Sequence, residues 1–391
     1  MSDSFSLTTN IREKLQRIRE SGAFRKLLTV DERTGSRIKM NGRWYVNFAG
    51  NDYLGLAAAP ETAEALNEGI RLYGAGTGAS AVVTGHTRAH SELEELLCDI
   101  TGKEAVILFN TGFAANQTLI KAGINLKANL LLDRLVHASM QDAVFSAPEF
   151  QRFRHNDMVH AEKILEKHPG SLIFTEGVFS MDGDLSDLKK LTELKKRYNS
   201  YLILDDAHGF GVLGERGCGT AEHLGIPGTE IDVFMGTLSK ACGLSGAFIA
   251  ADRDFIDYLI NTGREYIYST AAPAFIAHAL IKTIKYITGN EGRELRHHLH
   301  AMTELFRKRF SELDINASLL NSETSIQPVI IGANEELMSV SGKITDKGFL
   351  CGAIRPPTVP QGTARLRITV TAAHSDTDII NLTDTLKDII G

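Results

Sequence analysis

The sequence predicts an α/β protein: a large domain built on a mostly parallel sheet, followed by a smaller α+β C-terminal domain. Three observations carry this. From about Ser91 to Ala251, helical periodicity alternates with short, uninterrupted apolar runs, the pattern of strands covered by helices on both faces. After about Ile287 that alternation gives way to one long amphipathic stretch and a period-2 strand. The 391 residues also exceed one ordinary core, since domains cluster near roughly 100 to 200 residues. The expected divisions are an N-terminal helix and arm over 1–50, a large ligand-binding domain over 51–286 and a small domain over 287–391.

Taken in order, Ile11, Leu15 and Ile18 give the stretch Met1 to Arg19 a helical apolar stripe, and Asp3 makes it a poor signal peptide. Glu61 to Tyr73 is helical in character. Leu93, Leu96, Leu97 and Ile100 define a helix, with Ser91 and Glu94 as its capping box and Gly102 as its stop. Buried strands are expected at Ala105 to Phe109, Leu130 to Asp133, Ser171 to Glu176, Tyr201 to Asp206, Val233 to Leu238 and Gly246 to Ala251. Leu188, Leu191 and Leu194 form a helix ending at Tyr198 and Asn199. In the C-terminal part, Leu295 to Leu313 is a long helix and Val329 to Ile331 a short apolar run. Across Thr363 to Thr371, Leu366, Ile368 and Val370 alternate with Arg365, Arg367 and Thr369, as in a strand with one covered face. Ser375 then caps a last helix through Asp378, with Ile379, Leu382, Leu386 and Ile389 inward.

Composition excludes several classes. Lys plus Arg number 42 against 48 acidic residues, a net charge of −6, so the chain is no generally basic nucleic-acid binder. No run approaches the roughly 18 apolar residues of a membrane span. Cys98, Cys218, Cys242 and Cys351 are far apart with no CxxC pair, which argues for a reduced, cytoplasmic setting rather than a disulfide framework. His297, His298 and His300 lie on a polar helix face without a ligand cluster, so no metal is expected.

In an open parallel sheet, ligands sit beyond the carboxyl ends of the strands. The polar residues that close the apolar runs are Asp133 with His137 beyond it, Glu176 with Ser180, Asp205 with His208, and Thr237, Ser239 and Lys240. Each has a plain alternative: a cap or ion pair for Asp205, a solvated amine for Lys240, satisfied loop histidines for His137 and His208. Their convergence on one edge favours a site. A carboxylate closing the run Tyr201 to Leu204 needs a cationic partner in either case. Gly74, Gly76 and Gly78 echo a dinucleotide fingerprint but follow a helix rather than a strand, so that reading fails. Thr111, Gly112 and Phe113, in contrast, follow a strand and open a helix, where free N–H groups suit a phosphate.

Five segments, Asn51-Asp52-Tyr53-Leu54-Gly55-Leu56, Thr111-Gly112-Phe113-Ala114-Ala115-Asn116, Glu176 to Gly183, Asp205-Asp206-Ala207-His208-Gly209 and Gly236-Thr237-Leu238-Ser239-Lys240, resemble the α-oxoamine synthases. These are enzymes of the fold type I, aspartate-aminotransferase-like class that use pyridoxal 5′-phosphate. The likeness runs in order from about residue 40 to residue 374. Ala353-Ile354-Arg355-Pro356-Pro357, continuing to Arg367, is most similar to the branch that condenses L-alanine with a pimeloyl thioester, on CoA or a carrier protein, in biotin biosynthesis. Ser245-Gly246-Ala247 departs from a Gly-Gly pair of many relatives, and Ser239 from a Gly.

The resemblance implies that Lys240 bonds the cofactor, Asp205 faces its pyridine nitrogen, His137 stacks on its ring, and Ser180 and His208 bond its phenolic oxygen. It further implies phosphate contacts from Gly112, Phe113 and Thr237, joined by Ser269 and Thr270 of a second subunit in a homodimer with a shared active site. Asn51 and Arg355 would receive the amino-acid carboxylate, and Arg25 would lie in the acyl channel. The chemistry is coherent. A Cα–H is too weak an acid without a conjugated electron acceptor, a nearby carboxylate keeps that acceptor protonated, and a neutral lysine moves the proton. Competing expectations are a synthase using glycine or serine with another acyl-CoA, an aminotransferase that needs no thioester, and an inactive binding protein on the same fold.

Overall fold

The fold is described from a computed structural model covering residues 6–391, so Met1 and Asp3 lie outside the described residues. The central sheet has seven strands in the order Ala105–Phe109, Ala247–Ala251, Val233–Thr237, Tyr201–Asp205, Leu172–Glu176, Leu130–Asp133 and Gln151–Phe153. Ala247–Ala251 runs antiparallel to both its neighbours, and the remaining pairs are parallel. Six of these strands lie where continuous apolar runs predicted them. They are apolar along their length because helices cover both sheet faces, leaving nearly every residue buried. Register matters for the site: Glu176 stands beside Asp205, so those two strands end level, and Asp205 stands beside Met235, two residues before the end of the next strand.

The second sheet runs Glu32–Thr34, Arg37–Met40, Arg43–Phe48, Phe349–Ile354, Ala364–Thr369, Ile326–Gly332 and Ser318–Leu319. Parallel pairing of Phe349 with Val46 and Cys351 with Phe48 joins the N-terminal hairpin to the C-terminal strands. The sequence did not reveal that hairpin, because charged residues interrupt its alternation and the only buried side chains on it are Ile38, Met40 and Phe48.

Two expectations need correction. Ala364–Thr369 is buried on both faces, Arg365 and Arg367 being 5% exposed each. The arginines face protein rather than water: Arg365 pairs with Asp182, and Arg367 Nε donates to the Ser180 carbonyl at 2.6 Å. The second helix of the large domain begins at Arg88, before Ser91; Thr87 is its cap, and its capping-box partner is the imidazole of His90 rather than Glu94. Gly102, in left-handed conformation, ends this helix as expected.

The helix Leu7–Glu20 forms, but none of its residues is buried, and Ile11 and Ile18 stay exposed. Pro60–Tyr73 crosses Ala274–Thr288 very closely: a Cβ on Gly69 would meet the Phe275 backbone at 2.8 Å. The last helix, Asp376–Ile390, carries the Ser375–Asp378 capping box, with Ile379, Leu382 and Leu386 fully buried. Among the described residues, no helix is long and apolar enough to cross a membrane.

Candidate active site

Five strand ends contribute to one cavity. Gly112 and Phe113 follow Ala105–Phe109, His137 follows Leu130–Asp133, Glu176 and Asp205 close their strands, and Thr237 and Lys240 end the next. Lys240 and Asp205, 35 residues apart in the chain, therefore line the same space. Lys240 also opens onto an adjoining cavity that contains Asn51.

Burial governs the electrostatics here. It pushes the Lys240 amine down to about 8, against the opposing charges of Asp205 and Glu176. It drives the Glu176 carboxyl well above its ordinary range, with the Asp205 charge adding to the effect, and Glu176 Oε1 has no hydrogen-bond partner among the described residues. His137 is lowered mainly by burial. His208 is lowered much further by burial and by the Lys240 and Arg367 cations. The amine and both imidazoles are thus biased toward neutrality.

Asp205, 5% exposed, is held by two N–H donors: Asn116 Nδ2 at 2.7 Å and the Ala207 amide at 3.0 Å. Asn116 Nδ2 also donates to Ser139 Oγ at 3.0 Å, and Ser139 Oγ lies 2.8 Å from His137 Nδ1. One amide therefore ties the carboxylate to the histidine across the cavity. In the sequence Asn116 stands out only as the last residue of the Thr111–Asn116 segment; its position, one turn into the helix Gly112–Asn125, is what brings its amide to Asp205.

The helix Gly112–Asn125 points its N-terminus into the cavity, where its first amides lack intrahelical acceptors. Thr111 caps it through the Ala114 amide. A Cβ at Gly112 would lie 2.8 Å from Thr237 Cγ2, so only glycine leaves the approach open. An anion suits this end, a protonated ring nitrogen suits Asp205 and an aldehyde suits Lys240, whose amine is lowered to about 8. The residues present thus fit pyridoxal phosphate at three separate points.

Other expected residues are distributed differently. Asn51 Oδ1 accepts from Arg367 Nη1 at 3.1 Å, and Ser180 contributes its carbonyl to the same guanidinium. Arg355 lines neither cavity beside Lys240; its Nη2 donates to the Phe24 carbonyl at 3.0 Å. Arg25 is exposed and lines neither cavity. Ser269 and Thr270 border a separate small cavity, where Asn110 Nδ2 donates to the Thr270 carbonyl at 2.7 Å. Asp133 is a fully buried partner of His155 rather than a cavity residue. His298 donates to the His374 carbonyl at 3.0 Å and His300 pairs with Glu304.

The chain matches the family model described as aminotransferase class I and II over residues 44–386. It is 43% identical over 382 residues to the 8-amino-7-oxononanoate synthase of Nitrosospira multiformis, covering 97% of this chain and 95% of the relative. Among solved structures, a serine palmitoyltransferase variant from S. paucimobilis with a bound PLP–myriocin aldimine superimposes with a TM-score of 0.90 at 24% identity, covering 98% of both chains. An 8-amino-7-oxononanoate synthase from Francisella tularensis superimposes with a TM-score of 0.76 at 25% identity, covering 88% of this chain and 97% of that one. The fold is the fold type I, aspartate-aminotransferase-like architecture expected from the sequence.

Proposed function

The chain belongs to the class I and II aminotransferase family and, within it, to the 8-amino-7-oxononanoate synthases, and from that premise we propose that it binds pyridoxal 5′-phosphate at Lys240 and condenses L-alanine with a pimeloyl thioester. The products are 8-amino-7-oxononanoate, carbon dioxide and free thiol. The observation that carries this reading is the meeting of Lys240, Asp205, His137 and His208 in one cavity at five strand ends, beside the Asn51–Arg367 pair.

Bound pyridoxal phosphate supplies an electron sink for cleavage at the amino-acid Cα. The chain's own residues do the rest. Lys240, lowered to about 8, is the base that takes the Cα proton and later returns one. Asp205 would support positive charge on the ring nitrogen, and His137 would border the ring. His208 and Ser180 would serve the phenolic oxygen. Gly112 and Phe113 amides and the Thr237 hydroxyl would hold the phosphate. For the substrate carboxylate, the reading favours Arg367, which bonds the Asn51 that shares a cavity with Lys240, over Arg355, which bonds the Phe24 carbonyl and lines neither cavity. A fixed guanidinium selects which Cα bond stands perpendicular to the ring.

The same reading assigns Ser269 and Thr270 to a partner subunit's phosphate and Arg25 to the acyl channel of a homodimer. Uncovered apolar residues, Leu7, Ile11, Val83 and Tyr268 among them, support a second copy. It also keeps the division into an arm (1–50), a cofactor-binding domain (51–286) and a C-terminal domain (287–391).

The test measures thiol release from pimeloyl-CoA with L-alanine, glycine or L-serine. Release with alanine is expected. No release with alanine, together with release from another acyl-CoA and glycine or serine, overturns the substrate assignment. Amino transfer to a keto acid without CoA overturns the reaction class.

A further inference from the structure

Tyr53 has no role in the chemistry above, yet it is fully buried and its hydroxyl lies 2.5 Å from His208 Nδ1. Ring nitrogens and hydroxyls are each able to donate or accept, so the direction of this bond must come from their other neighbours. Three observations fix it. First, the Tyr53 hydroxyl also lies 3.4 Å from Asn51 Oδ1, a much longer contact, and that oxygen already accepts from Arg367 Nη1 at 3.1 Å. Second, the Arg367 cation, bonded to Asn51 beside the tyrosine, acts on the Tyr53 oxygen by its charge. An oxygen facing a cation presents its lone pair there and turns its proton the other way. Third, burial, with the charges of Lys240 and Arg367 adding to it, disfavours the imidazolium of His208 and leaves one nitrogen free to accept.

We propose that Tyr53 is a positioning residue: its hydroxyl donates to His208 Nδ1 and thereby locks His208 in the tautomer with the proton on Nε2. That N–H is the donor His208 has left for the cavity it lines. Without Tyr53, the opposite tautomer would put a bare nitrogen lone pair toward an oxygen of the bound ligand, a repulsive contact in place of a hydrogen bond. The tyrosine also joins two parts of the site. Through Asn51 it neighbours the Arg367 carboxylate anchor, and through His208 it reaches the cavity that would hold the cofactor. The nitrogen that carries a histidine proton is set by the bond its other nitrogen makes.

The kinetic half of the test rests on the function proposed above, whereas the spectroscopic half does not. Full-length protein, purified with its cofactor and labelled with [15N]histidine, is studied by long-range 1H–15N correlation, His208 being assigned as the signal lost in His208→Gln. The expected wild-type pattern is an unprotonated Nδ1 and a protonated Nε2. In Tyr53→Phe the two resonances should move toward each other as the tautomers mix. A proton found on Nδ1 in the wild type, which needs no variant to fold, overturns the proposal; so does an unchanged pattern in Tyr53→Phe. In turnover with L-alanine and pimeloyl-CoA, Tyr53→Phe should lower kcat roughly tenfold, the loss of about one buried hydrogen bond, with little change in the KM for alanine. In a His208→Gln background the same change should have no further effect, whereas additive losses overturn the relay. Absence of turnover with every acyl-CoA would refute the function and leave the resonances to decide the tautomer.

Discussion

Raising the pH from 6.5 to 9.5 should remove a stabilising charge near the site, and His155 is the group that loses it. Its Nδ1 lies 3.0 Å from Asp133 Oδ1 and its Nε2 2.8 Å from Asp184 Oδ2. Burial opposes the imidazolium, but the hydrogen bonds and charges of the two carboxylates outweigh it and raise His155 from 6.5 to about 9. A folded value above the unfolded one stabilises fully below the unfolded pKa and is lost as the pH rises through the folded one. The window is therefore about 6.5 to 9. At about 1.36 kcal/mol per unit, the difference of 9 from 6.5 corresponds to ~3 kcal/mol. Unfolding entropy of roughly 2.1 cal/mol/K per residue over 391 residues turns that into a Tm change of ~4 °C. The assay is thermal unfolding of wild type and His155→Gln at both pH values. The wild-type advantage should shrink by that amount between pH 6.5 and 9.5; a difference that stays constant within a degree refutes the clamp. The effect also bears on the site, because Asp184 belongs to the loop that presents Ser180 to Arg367 and Asp182 to Arg365.

Three substitutions probe the cavity itself. Asn116→Ala removes the donor shared by Asp205 and Ser139, and kcat should fall roughly 10- to 100-fold, the range for a hydrogen bond to a charged group, with stability measured alongside by melting. Arg367→Lys keeps a charge but loses the planar fork, so the KM for L-alanine should rise at least about tenfold, and by more than in Arg355→Ala; the reverse order would return the carboxylate to Arg355. Gly112→Ala places a methyl 2.8 Å from Thr237 Cγ2, and equilibrium titration followed by absorbance should show pyridoxal phosphate binding weakened by roughly tenfold or more.

The sequence made the strands of the central sheet readable because both their faces are buried, so apolar residues run without interruption and polar ones mark their ends. The same logic brought out Asp205, Glu176, His137, Thr237 and Lys240, each at or just past a strand end. It failed where burial and polarity part company. Arg365 and Arg367 read as a solvent face, yet they are buried because another loop supplies Asp182 and the Ser180 carbonyl. The strands between Glu32 and Phe48 hide behind their charges, and their partner lies some 300 residues away in sequence. Asn116 and Tyr53 stood inside recognised motifs, but what each hydrogen-bonds depends on which strand end faces it, and no local pattern encodes that.

The arrangement of charge explains why so many ionisable groups crowd one cavity without disrupting it. Glu176 is driven toward its neutral acid, Lys240 toward its neutral amine, and His137 and His208 toward neutral imidazoles, all with burial as the leading cause. Asp205 is met by two N–H donors, Asn116 Nδ2 and the Ala207 amide. A cavity in which burial disfavours competing charge concentrates the field of that carboxylate on whatever cation enters, because the low dielectric screens it weakly. It follows that Asp205→Asn, which keeps shape and one acceptor, should be far more damaging to turnover than Glu176→Gln, a change at a carboxyl that burial pushes well above its ordinary range. Roughly 100-fold or more for the first, in the range of a lost electrostatic group, against less than about tenfold for the second is the expected contrast in kcat. Equal losses in the two variants would mean that geometry, not charge, sets the rate.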